Sequence, residues 1–401
     1  MVVNKKTGSI LLISGTAIGA GMLALPVVTA SAGFFDSLIL LFICWLVMWL
    51  TGLYTLEANL NMPDGANFVA MSKATLGKTG EAITWVVYLL LLYSLMAAYL
   101  SGGGALLIVG INHEWHLHVS NFWGPISWVI IIGAIVFLGA KRVDGFNRLL
   151  MVGLIVAYFI LVIVMIPHIK LGNLKTGRDA GVLFTALPIA ITSFAYQVVI
   201  PSIRSYLKSD AKKITSAVLW GSFIPLVVYA LWDLLVFGTI PLHGKDGLDM
   251  ILQSGQPATH LIESLSVLLQ SNWITEAASA FIFFAIATCF LAIAFSLVDF
   301  IADGFHIRKT AGGWVWILIL AFVPPLIFVW GCPRGFILAL GYAGIFVAIL
   351  HGILPALMVW VSRYKGLTKE YKAPGGVTSI LIILVFSLLV IASQIIINLH
   401  F

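Results

Sequence analysis

The stretch Ser14-Gly-Thr-Ala-Ile-Gly-Ala-Gly-Met-Leu-Ala-Leu-Pro26 decides the fold of this chain. It lies inside an apolar N-terminal segment, yet it places Gly15, Gly19 and Gly21 where a membrane helix usually carries large apolar side chains. A glycine in a helix interior costs about 1 kcal/mol relative to alanine, so three glycines followed by a proline predict a break in the helix. Broken helical backbone at membrane depth is tolerated only where protein or a water-filled cavity satisfies the freed groups. We therefore predict a binding site for a small polar or ionic ligand at this break.

The rest of the chain has the composition of an all-α polytopic membrane protein. Of its 401 residues, 61% are hydrophobic and 9% are charged, whereas about 25% of the residues in an average soluble domain are charged. Apolar runs of about 17–25 residues are long enough to cross a bilayer as helices. We predict one membrane domain over residues 1–401 with eleven spans, at approximately 8–33, 37–60, 82–110, 123–140, 149–167, 183–200, 214–238, 273–301, 313–331, 335–361 and 377–398.

The lysines and arginines predict how the spans are oriented in the lipid bilayer. With the N-terminus inside the cell, 17 of the 22 Lys and Arg residues lie on the inner side and 5 on the outer side. Short inner loops of membrane proteins carry an excess of positive charge, so we expect a cytoplasmic N-terminus. Eleven spans then place the C-terminus outside. Because topology accounts for the net charge of +6, no nucleic-acid partner is expected.

A second interrupted segment is predicted in span six. Pro188 and Pro201 flank a polar centre, which contains Thr192, Ser193, Tyr196 and Gln197. Span one enters from inside, and span six, five spans later, enters from outside. Two broken helices at matching positions of oppositely oriented halves are typical of inverted-repeat secondary transporters, with repeats here at about 8–167 and 183–361 and span 11 added at 377–398. The alternative is that these small and polar residues only allow close helix packing.

Seven motifs resemble those of the hydroxy/aromatic amino acid permease family, within the amino acid–polyamine–organocation superfamily. The stretch from Gly15 to Pro26 is similar to the family's first-helix signature, and Thr192-Ser-Phe-Ala-Tyr-Gln-Val-Val-Ile-Pro-Ser-Ile203 is similar to its sixth-helix motif. Further matches are Leu56-Glu-Ala-Asn59, Ala97-Ala-Tyr-Leu-Ser-Gly102, Phe146-Asn-Arg148, Asp299-Phe-Ile-Ala-Asp303 and Pro333-Arg-Gly-Phe-Ile-Leu-Ala-Leu-Gly-Tyr-Ala-Gly344. The resemblance is greatest to the tyrosine-specific, proton-coupled members. It implies a LeuT-like fold with eleven spans, a bacterial inner-membrane location, and import of an aromatic amino acid, tyrosine first, together with protons.

The chain departs from the family's usual sequence in three places. It has Ala195-Tyr-Gln-Val198 where the family usually has Gly-Phe-His-Gly, Asp233 in place of a glutamine, and His351 in place of an apolar residue. The first departure lies beside the predicted break and leaves the substrate open. The alternative function is therefore a sodium-coupled or exchange carrier for another neutral amino acid.

The resemblance implies that the two breaks bind the charged groups of an amino acid through the backbone. N–H groups near Gly19 to Gly21 would bind the carboxylate, while carbonyl groups near Ala17 and from Ser193 to Ala195 would bind the ammonium group. Aromatic side chains would contact the substrate's own side chain, although packing or interfacial roles are the alternative for each tyrosine. The expected substrate-binding residues are Thr16, Ala17, Gly19, Ala20, Gly21, Tyr93, Ser193, Phe194, Ala195, Tyr196 and Gln197, with Tyr99 as a further candidate.

Five residues are expected to take part in ion coupling. The carbonyls of Gly15 and Ile18, with Thr288 and Cys289, occupy the positions where sodium-coupled members of this fold bind sodium. Cysteine is a poor ligand for a hard cation, which favours the proton. His351, near the centre of span ten, is the candidate proton carrier because its reference pKa of about 6.5 suits a switch. The alternative is a neutral histidine bonded to a neighbouring helix carbonyl.

No cofactor, metal site or enzymatic activity is expected. The loop sequence His113-Glu-Trp-His-Leu-His118 lacks the His-Glu-x-x-His spacing of a zinc site. The spans offer no pair of His, Asp or Glu residues at i, i+4 spacing that could form a catalytic constellation. Among the acids, Glu57 and Asp299 lie near span ends and are expected to anchor those ends rather than to carry protons.

Overall fold

The computed structural model describes residues 5–115, 118–175, 177, 179–270, 272–308, 310–332, 335–366 and 371–400, apart from the side chains of 113–115, 272, 311 and 400. All regular structure in these residues is helical. The α-helices are Lys5–Ala17 (α1), Gly21–Val28 (α2), Phe34–Leu60 (α3), Phe68–Trp115 (α4), Trp123–Phe137 (α5), Ala140–Met165 (α6), Gly181–Ser193 (α7), Ile200–Tyr206 (α8), Ala211–Thr239 (α9), Leu248–Ser254 (α10), Pro257–Leu269 (α11), Asn272–Gly304 (α12), Ala311–Gly331 (α13), Gly335–Val347 (α14), Leu354–Tyr364 (α15) and Gly376–His400 (α16).

Every predicted span corresponds to a helix. Within the described ranges, nine apolar helical segments are long enough to cross a membrane, and α1 with α2 forms a tenth span that is bent by 54°. The predicted fourth span is α5, whose 15 residues extend about 22 Å at 1.5 Å per residue, less than the roughly 30 Å of a hydrocarbon core. The all-helical, multi-pass architecture predicted from the sequence is confirmed.

The helix ends differ from the apolar runs that predicted them. Helix α4 begins at Phe68 rather than near residue 82 and is kinked at Gly77, whose φ of 77° and ψ of −164° are not helical. Helix α6 begins at Ala140, nine residues before the apolar run at 149. The long predicted loop 239–272 contains α10 and α11. An apolar run marks the part of a helix that lipid or protein covers, and the helix itself continues into polar sequence.

Both predicted breaks are present. Helix α1 ends at Ala17, residues 18–20 are not helical, and α2 begins at Gly21. In span six, α7 ends at Ser193, and a 3₁₀ turn over Gln197–Val199 leads into α8. Helix α2 packs against α7, while α1 packs against α9. This packing brings the two breaks together beside α9.

Two arginines, the buried Arg204 and the partly exposed Arg363, hold one end of the bundle at the C-terminal end of α3. Arg204, from α8, donates to the backbone carbonyls of Asn59 and, at 3.0 Å, Met62. Arg363, from α15, forms a two-point ion pair with Glu57, with N–O distances of 2.8 and 2.6 Å. Glu57 therefore anchors a helix end. Because the last carbonyls of a helix have no partner within it, the guanidinium of Arg204 also acts as a cap for α3.

Candidate functional site at the two helix breaks

The two breaks meet at the hydroxyl group of Tyr229 in α9. This oxygen lies 2.6 Å from the carbonyl oxygen of Ala17 and 2.7 Å from that of Ser193. Ala17 ends α1 and Ser193 ends α7, so both carbonyls belong to the last turn of a helix, where the backbone carries partial negative charge. Two such ends that converge on one point form a pair of acceptors suited to a hydrogen-bond donor or a cation.

The complementary groups are the backbone N–H groups at the start of α2. The N–H of Ala20 donates to the sulfur of Cys289 at 3.3 Å, and a thiol is a weak acceptor. The N–H groups of Gly19 and Gly21 have no backbone acceptor in the described part of the chain. A helix start with free N–H groups is a favourable place for an anion.

Gly19 is required by the close approach of α12 to the first break. A Cβ atom at this position would lie 2.1 Å from the Cys289 sulfur, far inside van der Waals contact. A Cβ atom at Gly21 would lie 3.1 Å from the Ser193 hydroxyl of the second break. The glycines that predicted the break therefore also make room for the elements that surround it.

Aromatic rings surround the converging backbone groups. The Phe194 ring, 1% exposed, packs edge-on against the Tyr229 ring at a centroid distance of 5.1 Å. The buried Tyr99 of α4 lies close to the Cys289 side chain. The polar backbone groups at the two breaks thus have aromatic rings beside them.

Tyr196 and Gln197 attach the second break to α3. The Tyr196 hydroxyl donates to the Met48 carbonyl at 3.2 Å. A Cβ atom on Gly52 would lie only 2.3 Å from this hydroxyl. The Gln197 amide nitrogen donates to the same carbonyl at 3.1 Å and to the Thr51 hydroxyl at 2.9 Å. Its amide oxygen accepts from the N–H of Tyr196 at 2.9 Å. The polar ends of both side chains are therefore bonded to α3 or, for the Gln197 amide oxygen, to the backbone of the second break.

Three other predicted hydroxyl groups are bonded elsewhere. The Tyr93 hydroxyl donates to the Leu320 carbonyl of α13 at 2.7 Å. Thr288 donates to the Phe284 carbonyl of its own helix at 2.9 Å, and Thr16 donates to Leu12 at 2.7 Å. Gly15 faces α6, since a Cβ atom there would lie 3.1 Å from the methyl group of Met151.

His351 lies in a π-helical segment over Ala348–Ile353, between α14 and α15. It is 2% exposed, and its ring is 5.7 Å from that of Phe68. Neither ring nitrogen has a hydrogen-bond partner among the described residues. Single π-helical turns interrupt the regular helix and often occur at functional sites.

Asp233 is a second buried titratable residue, one helical turn from Tyr229 in α9. Its carboxyl group accepts a hydrogen bond from Ser37 at 2.6 Å, and the Ser37 oxygen lies 3.0 Å from the Thr29 hydroxyl at the end of α2. Its other oxygen has no partner within the described ranges. Sequence analysis singled out Asp233 only as a departure from the family.

A cavity of about 490 Å³ lies beside the second break, between α4, α8 and α12. It extends to Val198, two residues from Tyr196. Its lining includes Phe68, Tyr88, Val198, Pro201, Ser202 and Phe300.

Part of this site consists of residues that were predicted from the sequence. The structure brings Ala17, Gly19, Ala20, Ser193, Phe194 and Cys289 together. It adds Tyr229, which the sequence marked only as one tyrosine in an apolar span. The possible metal-binding loop 113–118 includes His116, which lies outside the described residues.

Two broken spans packed in this way define a membrane transporter of LeuT-like fold. A crystal structure of the manganese transporter of Eremococcus coleocola, in complex with an aromatic bis-isothiourea substituted compound, has the same fold. It matches with a TM-score of 0.61 over 97% of this chain and 86% of that one, at 14% identity.

The chain belongs to the tryptophan/tyrosine permease family, whose sequence model matches residues 3–394. It is 33% identical to the tryptophan-specific transport protein of Haemophilus influenzae over 97% of this chain and 95% of the relative. It is 34% identical to tyrosine-specific transport system 1 of the same organism over 96% of each chain. The family resemblance predicted from the motifs is confirmed, and the chain is a transporter rather than an enzyme.

Proposed function

We propose that this transporter imports an aromatic amino acid, with tyrosine as the expected substrate, together with protons across the bacterial inner membrane. The observation that carries the proposal is the convergence of the Ala17 and Ser193 carbonyls beside the free N–H groups at the start of α2. Negative and positive backbone dipoles at one point match the ammonium and carboxylate groups of a zwitterion. No buried charged side chain is needed to bind either group.

In this proposal, the backbone binds what all amino acids share. The carboxylate accepts hydrogen bonds from Gly19, Ala20 and Gly21, and displaces the weakly accepting thiol of Cys289 from the Ala20 N–H. The ammonium group donates to the carbonyls of Ala17 and Ser193. The carbonyls of Phe194 and Ala195 continue the second half of the site.

The aromatic preference would come from rings beside this backbone. Phe194 and Tyr99 surround the pocket, and an aromatic pair contributes about 0.5–1.5 kcal/mol beyond its buried area. We assign Tyr196 and Gln197 a positioning role, since their polar groups hold the break against α3. Tyr93 and Thr16 complete the proposed set, from α4 and from the last turn of α1.

Proton coupling is favoured over sodium by the groups near the first break. At the positions where a sodium ion would need oxygen ligands, Cys289 presents sulfur and Thr288 bonds to its own helix. The carbonyls of Gly15 and Ile18 would be the remaining ligands. His351 is the proposed proton carrier because it is a buried, titratable side chain whose ring nitrogens have no partner in the described ranges.

The proposed orientation places the N-terminus in the cytoplasm and the C-terminus in the periplasm. Arg204 and Arg363 both contact the C-terminal end of α3, so the structure puts them on one side of the bundle. Both arginines directly follow an even-numbered span, 183–200 or 335–361, and such spans end on the inner side when the N-terminus is cytoplasmic. Reporter fusions to the two termini would test this, with a periplasmic N-terminus as the contradicting result.

Uptake into proteoliposomes tests the function. We expect purified protein to accumulate radiolabelled tyrosine when a pH gradient, acidic outside, is imposed, and to do so without sodium. Excess unlabelled tryptophan, phenylalanine and other neutral amino acids identify the preferred substrate by competition. Uptake that follows the sodium gradient, or ignores both gradients, would establish the sodium-coupled or exchange carrier instead. Absence of uptake of every amino acid would contradict the proposal.

A further inference from the structure

The Tyr229 hydroxyl lies at the point where the proposed function places the substrate's ammonium group. It is within hydrogen-bond distance of both Ala17 and Ser193, and the side chain is fully buried. The last carbonyls of two different helices are thus held by one side chain from a third. Within the described residues, this hydroxyl is the side-chain donor to both carbonyls.

One hydroxyl cannot satisfy both carbonyls. A phenol carries a single proton, so at any moment one of the two short O–O contacts has no hydrogen between the oxygens. An ammonium group has three N–H bonds and a positive charge, so it can donate to both carbonyls at once. Charge-assisted hydrogen bonds are also about twice as strong as neutral ones. The ammonium group is the better occupant of the same point.

We infer that the Tyr229 hydroxyl is an internal substitute for the substrate's ammonium group and that the substrate displaces it on binding. This inference rests on the proposed function, in which an amino acid binds at the breaks. Tyr229 offers the two buried carbonyls one donor that they share until an amino acid binds, since a buried carbonyl with no donor at all is unfavourable. It is a positioning residue that makes binding depend on the amine.

The position of the ring links amine recognition to the aromatic pocket. The Tyr229 ring packs edge-on against Phe194, at 5.1 Å between centroids. A hydroxyl that leaves the two carbonyls must carry its ring with it, and Phe194 then changes its surroundings. Amine binding therefore reshapes the pocket that receives the substrate's side chain.

Tyr229→Phe tests the inference because it removes the competing hydroxyl and keeps the ring. The empty site then has two unsatisfied carbonyls, and the substrate no longer displaces a hydrogen bond. We expect the Kd of purified, reconstituted protein for L-tyrosine to fall about three- to tenfold, the range for one buried hydrogen bond. Inhibition of this binding by 3-(4-hydroxyphenyl)propionate, which has the carboxylate and the ring but no amine, should not change.

Tyr158→Phe is the matched control. Tyr158 is also a buried tyrosine, and its hydroxyl donates to the Val228 carbonyl at 2.9 Å, next to Tyr229 in sequence. Its removal should leave both affinities unchanged. If Tyr229→Phe does not fold, Tyr229→Met removes the same hydroxyl and should shift the Kd for tyrosine in the same direction.

Unchanged or weaker tyrosine binding by the Tyr229 variant would overturn the inference and make Tyr229 a structural residue or a direct ligand. An equal gain for the analogue without the amine would also overturn it. Failure of the proposed function looks different, because wild-type protein would then bind no aromatic amino acid at all.

Discussion

The sulfur of Cys289 accepts a hydrogen bond from the backbone N–H of Ala20, at a distance of 3.3 Å. A side chain of α12 thereby accepts a hydrogen bond from one of the three N–H groups at the start of α2. A thiol accepts hydrogen bonds weakly, so a carboxylate can replace it at little cost. The Cys289 thiol therefore holds the first break in shape through a contact that an anion can replace.

Gly19→Ala should abolish most of the uptake. The new Cβ atom would lie 2.1 Å from the Cys289 sulfur, so the Cys289 side chain must rotate away from the Ala20 N–H or the break must shift, and overpacking of this kind commonly costs about 1–3 kcal/mol. We expect at least about a tenfold loss of initial uptake rate, since the displaced groups are the proposed carboxylate ligands.

The double variant Gly19→Ala/Cys289→Ala is the control, because it removes the sulfur that the new methyl group would meet. It should recover a large part of the uptake, whereas Cys289→Ala alone should remain near wild type. Full activity of Gly19→Ala would show that the break does not need this close approach.

Gly52→Ala should disturb the second break by a similar steric clash. Its Cβ atom would lie 2.3 Å from the Tyr196 hydroxyl, which donates to Met48. We expect a loss of about 1–3 kcal/mol of stability, seen as a lower unfolding temperature in detergent. Tyr196→Phe removes the hydroxyl and should cost about 1 kcal/mol by itself. In a protein that already carries Gly52→Ala, Tyr196→Phe should instead raise the unfolding temperature, because it removes the atom that the new methyl group meets. A further decrease would argue against a direct clash.

Local sequence was enough to predict the two breaks and the family. Glycines in an apolar span and prolines around a polar centre are unusual enough to indicate interrupted helices, and their matching positions indicated the repeat. The family resemblance, not local sequence, assigned Gly19, Ala20, Ser193 and Cys289 to the substrate and ion sites at the breaks, and the structure brings them together.

Contacts between distant segments could not be predicted. Tyr229 reaches Ala17, 212 residues away, and nothing in its neighbourhood distinguishes it from a packing tyrosine. The side chains of Tyr196 and Gln197 could face the substrate or α3 with equal local propensity, and only the packing of α7 and α8 against α3 decides. In the sequence, Arg204 is only one of the positive charges that predict the orientation of the spans, whereas in the structure it caps the end of α3.

Glu57→Ala should destabilise the protein by about 3 kcal/mol, because it leaves the Arg363 guanidinium without its partner in a largely buried place. The Glu57 carboxylate also accepts from the backbone N–H of Ala373 at 2.7 Å, so the loop before α16 loses a contact as well. Thermal unfolding of purified protein measures the effect. The double variant Glu57→Ala/Arg363→Ala should be less destabilised than the sum of the single variants, and strict additivity would argue against the pair.

His351→Gln should uncouple transport from the proton gradient. Glutamine fits a similar volume and can form hydrogen bonds, but it cannot gain or lose a proton near neutral pH. If His351 carries the proton, the variant should lose accumulation driven by an acidic outside and keep the exchange of internal for external substrate. Wild-type uptake should rise as the outside becomes more acidic, while uptake by the variant should depend little on pH.

Asp233→Asn is the matched comparison, since Asp233 is also buried, and asparagine can keep the hydrogen bond to Ser37. We expect this second variant to retain accumulation. Loss of coupling in Asp233→Asn together with its retention in His351→Gln would move the proton site to α9, where Ser37 connects the carboxyl group to Thr29 at the end of α2.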